Sequence, residues 1–193
     1  MTLAEASNRS ISSFRGVECI RVMMNLIPYQ PSFLDSFVKW RAQQLSIRHN
    51  PLKAMTKKEI EVILEAEGTD LTELNKHENY RWFIECDGDV VGSVSLKNIS
   101  HMMKYGEIGY GVDETRQGRG IATNAVKMLV QKCFSESPLR KLLAYVHDKN
   151  VASCRVLQKV GFTQEGILRE HYIINGTAAN EILFGLLKHE WKP

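Results

Sequence analysis

The residues whose types and spacing could do chemistry lie mostly in the second half of this 193-residue chain. Gln117-Gly118-Arg119-Gly120-Ile121-Ala122 sits between a strand-like run ending near Val112 and an apolar-periodic run starting near Ile121. Glycines at two positions let the backbone turn tightly and approach a ligand. The helix N-terminus behind them carries unpaired N–H groups and the positive end of a dipole. Together these make an anion site suited to a diphosphate, and Arg116 and Arg119 add charge. An ordinary strand-to-helix connection would look similar. Two rival phosphate motifs fall away. No GxxxxGK(S/T) string exists, and Gly118-x-Gly120-x-x reaches Thr123 where a dinucleotide fingerprint needs a third Gly.

The elements that must position this turn can be read from periodicity. Tyr105 to Val112 alternates as a strand, with Glu107, Gly109 and Gly111 on one face and Ile108, Tyr110 and Val112 on the other. Ile121 to Phe134 has helical apolar spacing, Leu142 to Val146 is a short buried strand, and Val151 to Val160 is a helix stopped by Gly161. Upstream, a strand is expected around Cys19 to Met24. A helix from Phe33 to about Leu45 follows, capped by Ser32, with Phe37 and Trp40 on one stripe. A second helix, Met55 to Ala66, carries Thr56 and Glu59 as a capping box. Arg81 to Cys86 and Val90 to Leu96 form a hairpin about Asp87-Gly88. Phe162 to Arg169 and His171 to Ile174 are further strands, and Asn175-Gly176 turns into a last strand, Ala179 to Leu187. The order specifies a mixed α/β sheet in one domain.

Composition bounds the rest. The chain is 44% hydrophobic and 24% charged, with a net charge of +3 and no polybasic run, so nucleic acid is not indicated. Residues 1–16 read as a disordered leader, with residues 17–193 as the domain. No stretch approaches membrane-spanning length, and the four cysteines, widely spaced with no CxxC pair, read as reduced thiols of a cytoplasmic protein. No zinc-type or other metal site is expected.

Gln117-x-x-Gly120-x-Ala122 resembles the acetyl-CoA signature Gln/Arg-x-x-Gly-x-Gly/Ala of the GNAT superfamily of N-acetyltransferases. Tyr105–Tyr110 (YGEIGY), Asn150-Val-Ala-Ser153, Lys159-Val-Gly161-Phe162, Glu165-Gly166 and Tyr172–Gly176 (YIING) resemble, in order, blocks of its RimJ/RimL-like branch. The resemblance runs from about Ile20 to Trp191. It implies a GNAT-type fold: a central, mostly antiparallel sheet of about seven strands with a splayed parallel pair, flanked by about four helices. It also implies acetyl transfer from acetyl-CoA to a primary amine by direct attack. The acceptor would be a protein N-terminus of the ribosomal-protein type, or a small amine. A homodimer is also within its range.

The resemblance further implies that backbone N–H groups of Gly118 to Thr123, through Arg119, Gly120, Ile121 and Ala122, bind the pyrophosphate. The backbone of Tyr110 to Val112 would pair with the pantetheine arm, and the Asn150 amide would bond it. Asn150 also reads as a plain helix N-cap. Glu107, on the open glycine face, is the first candidate for general base, and equally a structural carboxylate fixing a loop; Glu170 is second. The helix after Asn150 lacks the Tyr that many family members use as general acid. The branch assigns that role to the Ser of NxxS, here Ser153, which could instead bond its own backbone. Cys154 reads as core rather than nucleophile. Acceptor choice is expected to lie in Gln30 to Tyr80 and the Asn175-Gly176 hairpin. A CoA-binding sensor without catalysis is the alternative reading.

Overall fold

The computed structural model describes residues 23–192. The expected leader, and nearly all of the expected strand Cys19–Met24, lie outside them; the first described strand is β1, Met24–Ile27. Five α-helices and six more strands follow: α1 Leu34–Arg41, α2 Gln44–His49, α3 Lys57–Ala66, β2 Tyr80–Cys86, β3 Asp89–Ser100, β4 Tyr105–Val112, α4 Ile121–Glu136, β5 Lys141–His147, α5 Val151–Val160, β6 Thr163–Ile174 and β7 Thr177–Leu187. They build one seven-stranded sheet in the order β1-β2-β3-β4-β5-β7-β6, antiparallel except for the β4–β5 pair.

Local signals explain much of this. In α3, Glu59 N–H donates to Thr56 Oγ1 at 3.2 Å while Thr56 N–H donates to Glu59 Oε2 at 2.7 Å, so the capping box holds its first turn. Asp87 and Gly88 take φ of 50° and 87°, and Asn175 and Gly176 take 51° and 77°. Left-handed values at both central residues match the twist of the strands on either side, so each pair closes a hairpin.

Two expectations are corrected. The single helix Phe33–Leu45 is instead a 3-10 turn, Pro31–Phe33, followed by α1 and α2, and Ser32 does not cap α1. The break falls at Gln43, which is extended; its side chain bonds Asp113 Oδ1 and Glu114 N, and Leu45 N–H donates to Glu114 Oε1 at 2.6 Å. The distant segment Asp113–Glu114 thus takes over the Leu45 amide, which a continuous helix would have bonded internally. The strands placed at 162–169 and 171–174 form one strand, β6, irregular between Leu168 and Tyr172. There Glu170 adopts φ 50° and its N–H donates to Asn180 Oδ1.

The sheet is covered on both faces. α4 and α5 lie on one, burying Val126, Leu129, Val130 and Leu157 with sheet residues such as Val94, Leu96 and Leu142. α1 and α3 lie on the other, where Leu34, Trp40, Ile60 and Leu64 close over Phe83. The Phe83 ring has Tyr29, Phe33, Phe37 and Trp40 at centroid distances of 5.3–6.3 Å, so it sits at the centre of this second core.

Asp113 locks that layer to the end of β4. Its carboxylate accepts from Trp40 Nε1 (3.0 Å), Gln43 Nε2 (3.2 Å) and both the N–H and hydroxyl of Thr115. Burial alone would raise its pKa; the hydrogen bonds from Thr115, Gln43 and Trp40 outweigh that and bring it from 3.8 down to about 2. A depressed folded-state pKa means this stabilisation is present above the ordinary carboxylate value and is lost as pH falls from about 4 through about 2. Asp113→Asn is expected to cost about 2 kcal/mol at neutral pH and to flatten the acid limb of the stability curve; urea unfolding at several pH values checks both.

Candidate active site

β4 and β5 share only three registered pairs: Tyr105–Lys141, Gly106–Leu142 and Glu107–Leu143. Beyond them β4 stays in register with β3 as far as Val112–Gly92, and β5 stays with β7 as far as His147–Glu181. Each strand follows its other neighbour, so the two diverge and a wedge opens in the middle of the sheet. The β4 edge from Ile108 to Val112 faces this wedge without a ladder partner on that side, which is a template for an added extended chain.

The glycine turn lies past the end of β4. Gly118 and Gly120 adopt φ of 76° and 78°, and a Cβ at either would meet nothing within 4 Å. The backbone there needs glycine for its conformation and is open on its outer side. α4 begins at once, with Gly120 as N-cap and no side-chain cap. Its first amide bond runs from Asn124 N–H to Gly120 C=O, so the N–H groups of Ile121, Ala122 and Thr123 precede the ladder. A 16-residue helix aims its positive end at this point. An open cradle of that kind fits a pyrophosphate. The Gln117 side chain ties the turn back to Val112 C=O at 3.3 Å. Arg116 is committed to Asp89 at 2.7 Å, whereas Arg119 is exposed beside the turn.

The second wall of the wedge is the start of α5. Asn150 caps this helix, its Oδ1 accepting from Ser153 N–H at 3.1 Å, so the cap bond uses the amide oxygen and not the NH2. Ser153 Oγ lies 2.6 Å from the Tyr110 hydroxyl, which also reaches Ser153 C=O at 3.1 Å. The sequence reading placed Tyr110 here for its backbone; the structure adds its hydroxyl, 43 positions from Ser153. Burial pushes the Tyr110 hydroxyl well above its ordinary pKa, so it holds its proton. Cys154 is half-buried against the main core, and burial raises its thiol too.

On the opposite face, Glu107 is shared by two partners: Lys97 Nζ at 2.8 Å from Oε1 and Asn98 Nδ2 at 2.6 Å from Oε2. Asn98 has φ 48° within an irregular stretch of β3, and the carboxylate bridges its side chain to that of Lys97. Beside it a Cβ at Gly111 would meet nothing, while one at Gly109 would meet Ser95 Oγ at 2.9 Å. Glu170 is exposed on the bulge of β6.

Two features had no sequence signal. Glu181, in β7, is 1% exposed and lies opposite His147 in the ladder; the Tyr172 hydroxyl lies against its carboxylate and His171 Nε2 is 3.5 Å away. Burial raises its pKa. His147 in turn meets His49 of α2, Nδ1 to Nδ1, at 3.0 Å, which ties α2 to the end of β5. Nothing local in either segment announces these contacts. On the same side of the sheet a cavity of about 530 Å³ opens between α1, α2, α3 and the β6–β7 hairpin.

Residues 24–163 match the family described as "Acetyltransferase (GNAT) domain". The chain is 37% identical over 117 residues to the probable N-acetyltransferase YjcK of Bacillus subtilis, covering 59% of this chain and 65% of that protein. It is 32% identical over 111 residues to spermidine N(1)-acetyltransferase of Escherichia coli K12, covering 58% and 60%. The matches therefore span less than two thirds of the length of these curated relatives. Among solved structures, Mycobacterium smegmatis RimJ in complex with CoA-disulfide superposes with a TM-score of 0.75 at 27% identity, covering 86% of this chain and 83% of that one. Among the described residues no helix is long and apolar enough to cross a membrane.

Proposed function

Since this chain belongs to the acetyltransferase (GNAT) domain family, we propose that it transfers an acetyl group from acetyl-CoA to a primary amine by direct attack. The observation that carries this reading is the wedge between β4 and β5, opening beside the uncapped N-terminus of α4. The turn 117–123 would take the pyrophosphate on its N–H groups. The free β4 edge at Tyr110 to Val112 and the Asn150 amide would take the pantetheine arm. The relative solved with a CoA-disulfide supports that ligand class.

Acetyl-CoA supplies the thioester. The chain's own part is to position the two reactants, take a proton from the amine and protonate the departing sulfur. Glu107 is the proposed base. Lys97 and Asn98 each use one position on its carboxylate, and a carboxylate has about four lone-pair sites, so it can still accept a proton, through water. Ser153 is the proposed donor to the sulfur. In place of the absent helix Tyr, Tyr110 backs it, since either hydroxyl of that pair can donate to the other.

Ser153→Ala is expected to lower kcat by about ten- to a thousandfold with little change in CoA affinity, and Tyr110→Phe to lower it less. Stopped-flow release of free thiol, alongside calorimetric CoA binding, checks both. The reading as a whole is tested by incubating the protein with acetyl-CoA and a panel of polyamines, small amines and N-terminal peptides. No CoA binding overturns it, and CoA binding without thiol release from any acceptor favours a sensor. The acceptor we infer is a protein N-terminus or a small amine; among the relatives one is named as a ribosomal-protein-serine acetyltransferase and another as a spermidine N(1)-acetyltransferase.

A further inference from the structure

The cavity between α1, α2, α3 and the β6–β7 hairpin is lined by two basic residues. It lies on the sheet face that also bears Glu107, because Phe83, Ser93 and Gly111 are in register across β2, β3 and β4, and Glu107 and Gly109 alternate onto the same face. Its walls are mostly apolar, with Val38, Ile47, Met55 and Ile173 among them; among the described residues Arg41 and Lys53 are its charged ones and no carboxylate lines it. The volume falls in the range of about 300–1,000 Å³ common for ligand pockets.

Arg41 is half-buried near the end of α1. Its guanidinium donates to Lys53 C=O at 3.0 Å and approaches Met55 Sδ at 3.7 Å; no described carboxylate pairs with it. Burial, and then the charge of Arg81, disfavours its protonated form. Arg81 itself is satisfied, with Nε and Nη2 on the two oxygens of Glu67 at 2.5 and 3.0 Å. One guanidinium at this face therefore has its counter-charge and the other does not. A partly desolvated cation without a partner is costly, and a planar fork of donors is matched best by a carboxylate.

We propose that this cavity receives the chain of the acceptor and that Arg41 pairs with a carboxylate on it, so that the acceptor is the N-terminus of an acidic peptide. The inference rests on the transferase reading above and deepens it. A polyamine is the wrong charge: its further ammonium groups would face Arg41 and Lys53 in a space that no carboxylate of the described residues lines. The apolar wall formed by Ile47, Met55 and Ile173 takes the aliphatic part of the peptide. Arg41 is a specificity residue here, and its bond to Lys53 C=O also sets the 50–55 loop, so the test must separate the two roles.

Three peptides that differ only in carrying acidic, neutral or lysine residues at positions two and three, together with spermidine, are compared as acceptors. For the wild-type protein kcat/KM is expected to favour the acidic over the lysine peptide by roughly ten- to a hundredfold. Arg41→Gln is expected to remove that preference, Arg41→Glu to invert it, and Arg41→Lys to keep part of it. Preference for spermidine or the lysine peptide, or an equal loss on all acceptors in Arg41→Gln, overturns the proposal. If no acceptor releases thiol, the transferase reading fails separately. Calorimetric binding of the same peptides to the CoA complex then decides this one: tighter acidic-peptide binding that Arg41→Gln abolishes supports it, and equal binding of all peptides overturns it.

Discussion

Gly120→Pro is expected to abolish cofactor binding, with CoA affinity down more than a hundredfold. Position 120 adopts φ 78°, which proline, fixed near −65°, cannot reach. The substitution also deletes the N–H of the N-cap residue, where the turn passes into α4. Gly118→Ala is the milder companion. A Cβ there meets nothing within 4 Å, so its cost is the strain of φ 76° alone, about 1 kcal/mol. Calorimetry with CoA, and circular dichroism to confirm that each variant folds, check the pair. Unchanged CoA affinity in folded Gly120→Pro would remove the turn from the site.

The second large effect is at Glu107. Glu107→Gln is expected to lower kcat by about a hundred- to ten-thousandfold while CoA affinity changes little, because the amide keeps the shape of the side chain but cannot accept the amine's proton. The same variant replaces the Oε1 partner of Lys97 or the Oε2 partner of Asn98 with an NH2 group. A purely structural role would show as a lower melting temperature with kcat retained. The two roles are thus read by different measurements, thiol release for one and thermal unfolding for the other. Raising pH distinguishes them further: a variant lacking its base regains rate as the free amine fraction of the acceptor rises, and a structurally damaged one does not.

What was legible in the sequence depended on short-range physics. The capping box at Thr56 and Glu59, the hairpins at Asp87-Gly88 and Asn175-Gly176, and the stop of α5 at Gly161 all depend on residues within a few positions of one another. Strand β4 and helix α5 appear at the expected residues because alternation and helical spacing are local patterns as well. The glycine turn was visible for the same reason, and its meaning came from the blocks that follow it in order. The failures have the opposite character. The break between α1 and α2 is imposed by Asp113 and Glu114, about seventy residues away, through Gln43 and Leu45. The irregularity that merges the two expected strands into β6 is set by Asn180 across the sheet.

The same division runs through the candidate site. Composition and periodicity pointed to an α/β domain, a phosphate-type turn and Glu107 on an open strand face, and the family resemblance added Asn150 and Ser153 as candidates. The family resemblance implied a splayed parallel pair; the tertiary structure decided that β4 and β5 part company after Glu107 and Leu143, since each strand's pairing to a third strand is a non-local choice. It placed the Tyr110 hydroxyl on Ser153, gave both oxygens of Glu107 their partners, buried Glu181 in the sheet, and left Arg41 lining a mostly apolar cavity with no carboxylate among the described residues. Periodicity reports which face of an element a residue occupies. The groups that meet across that face are fixed by packing between elements far apart in the chain, and no spacing rule carries that information.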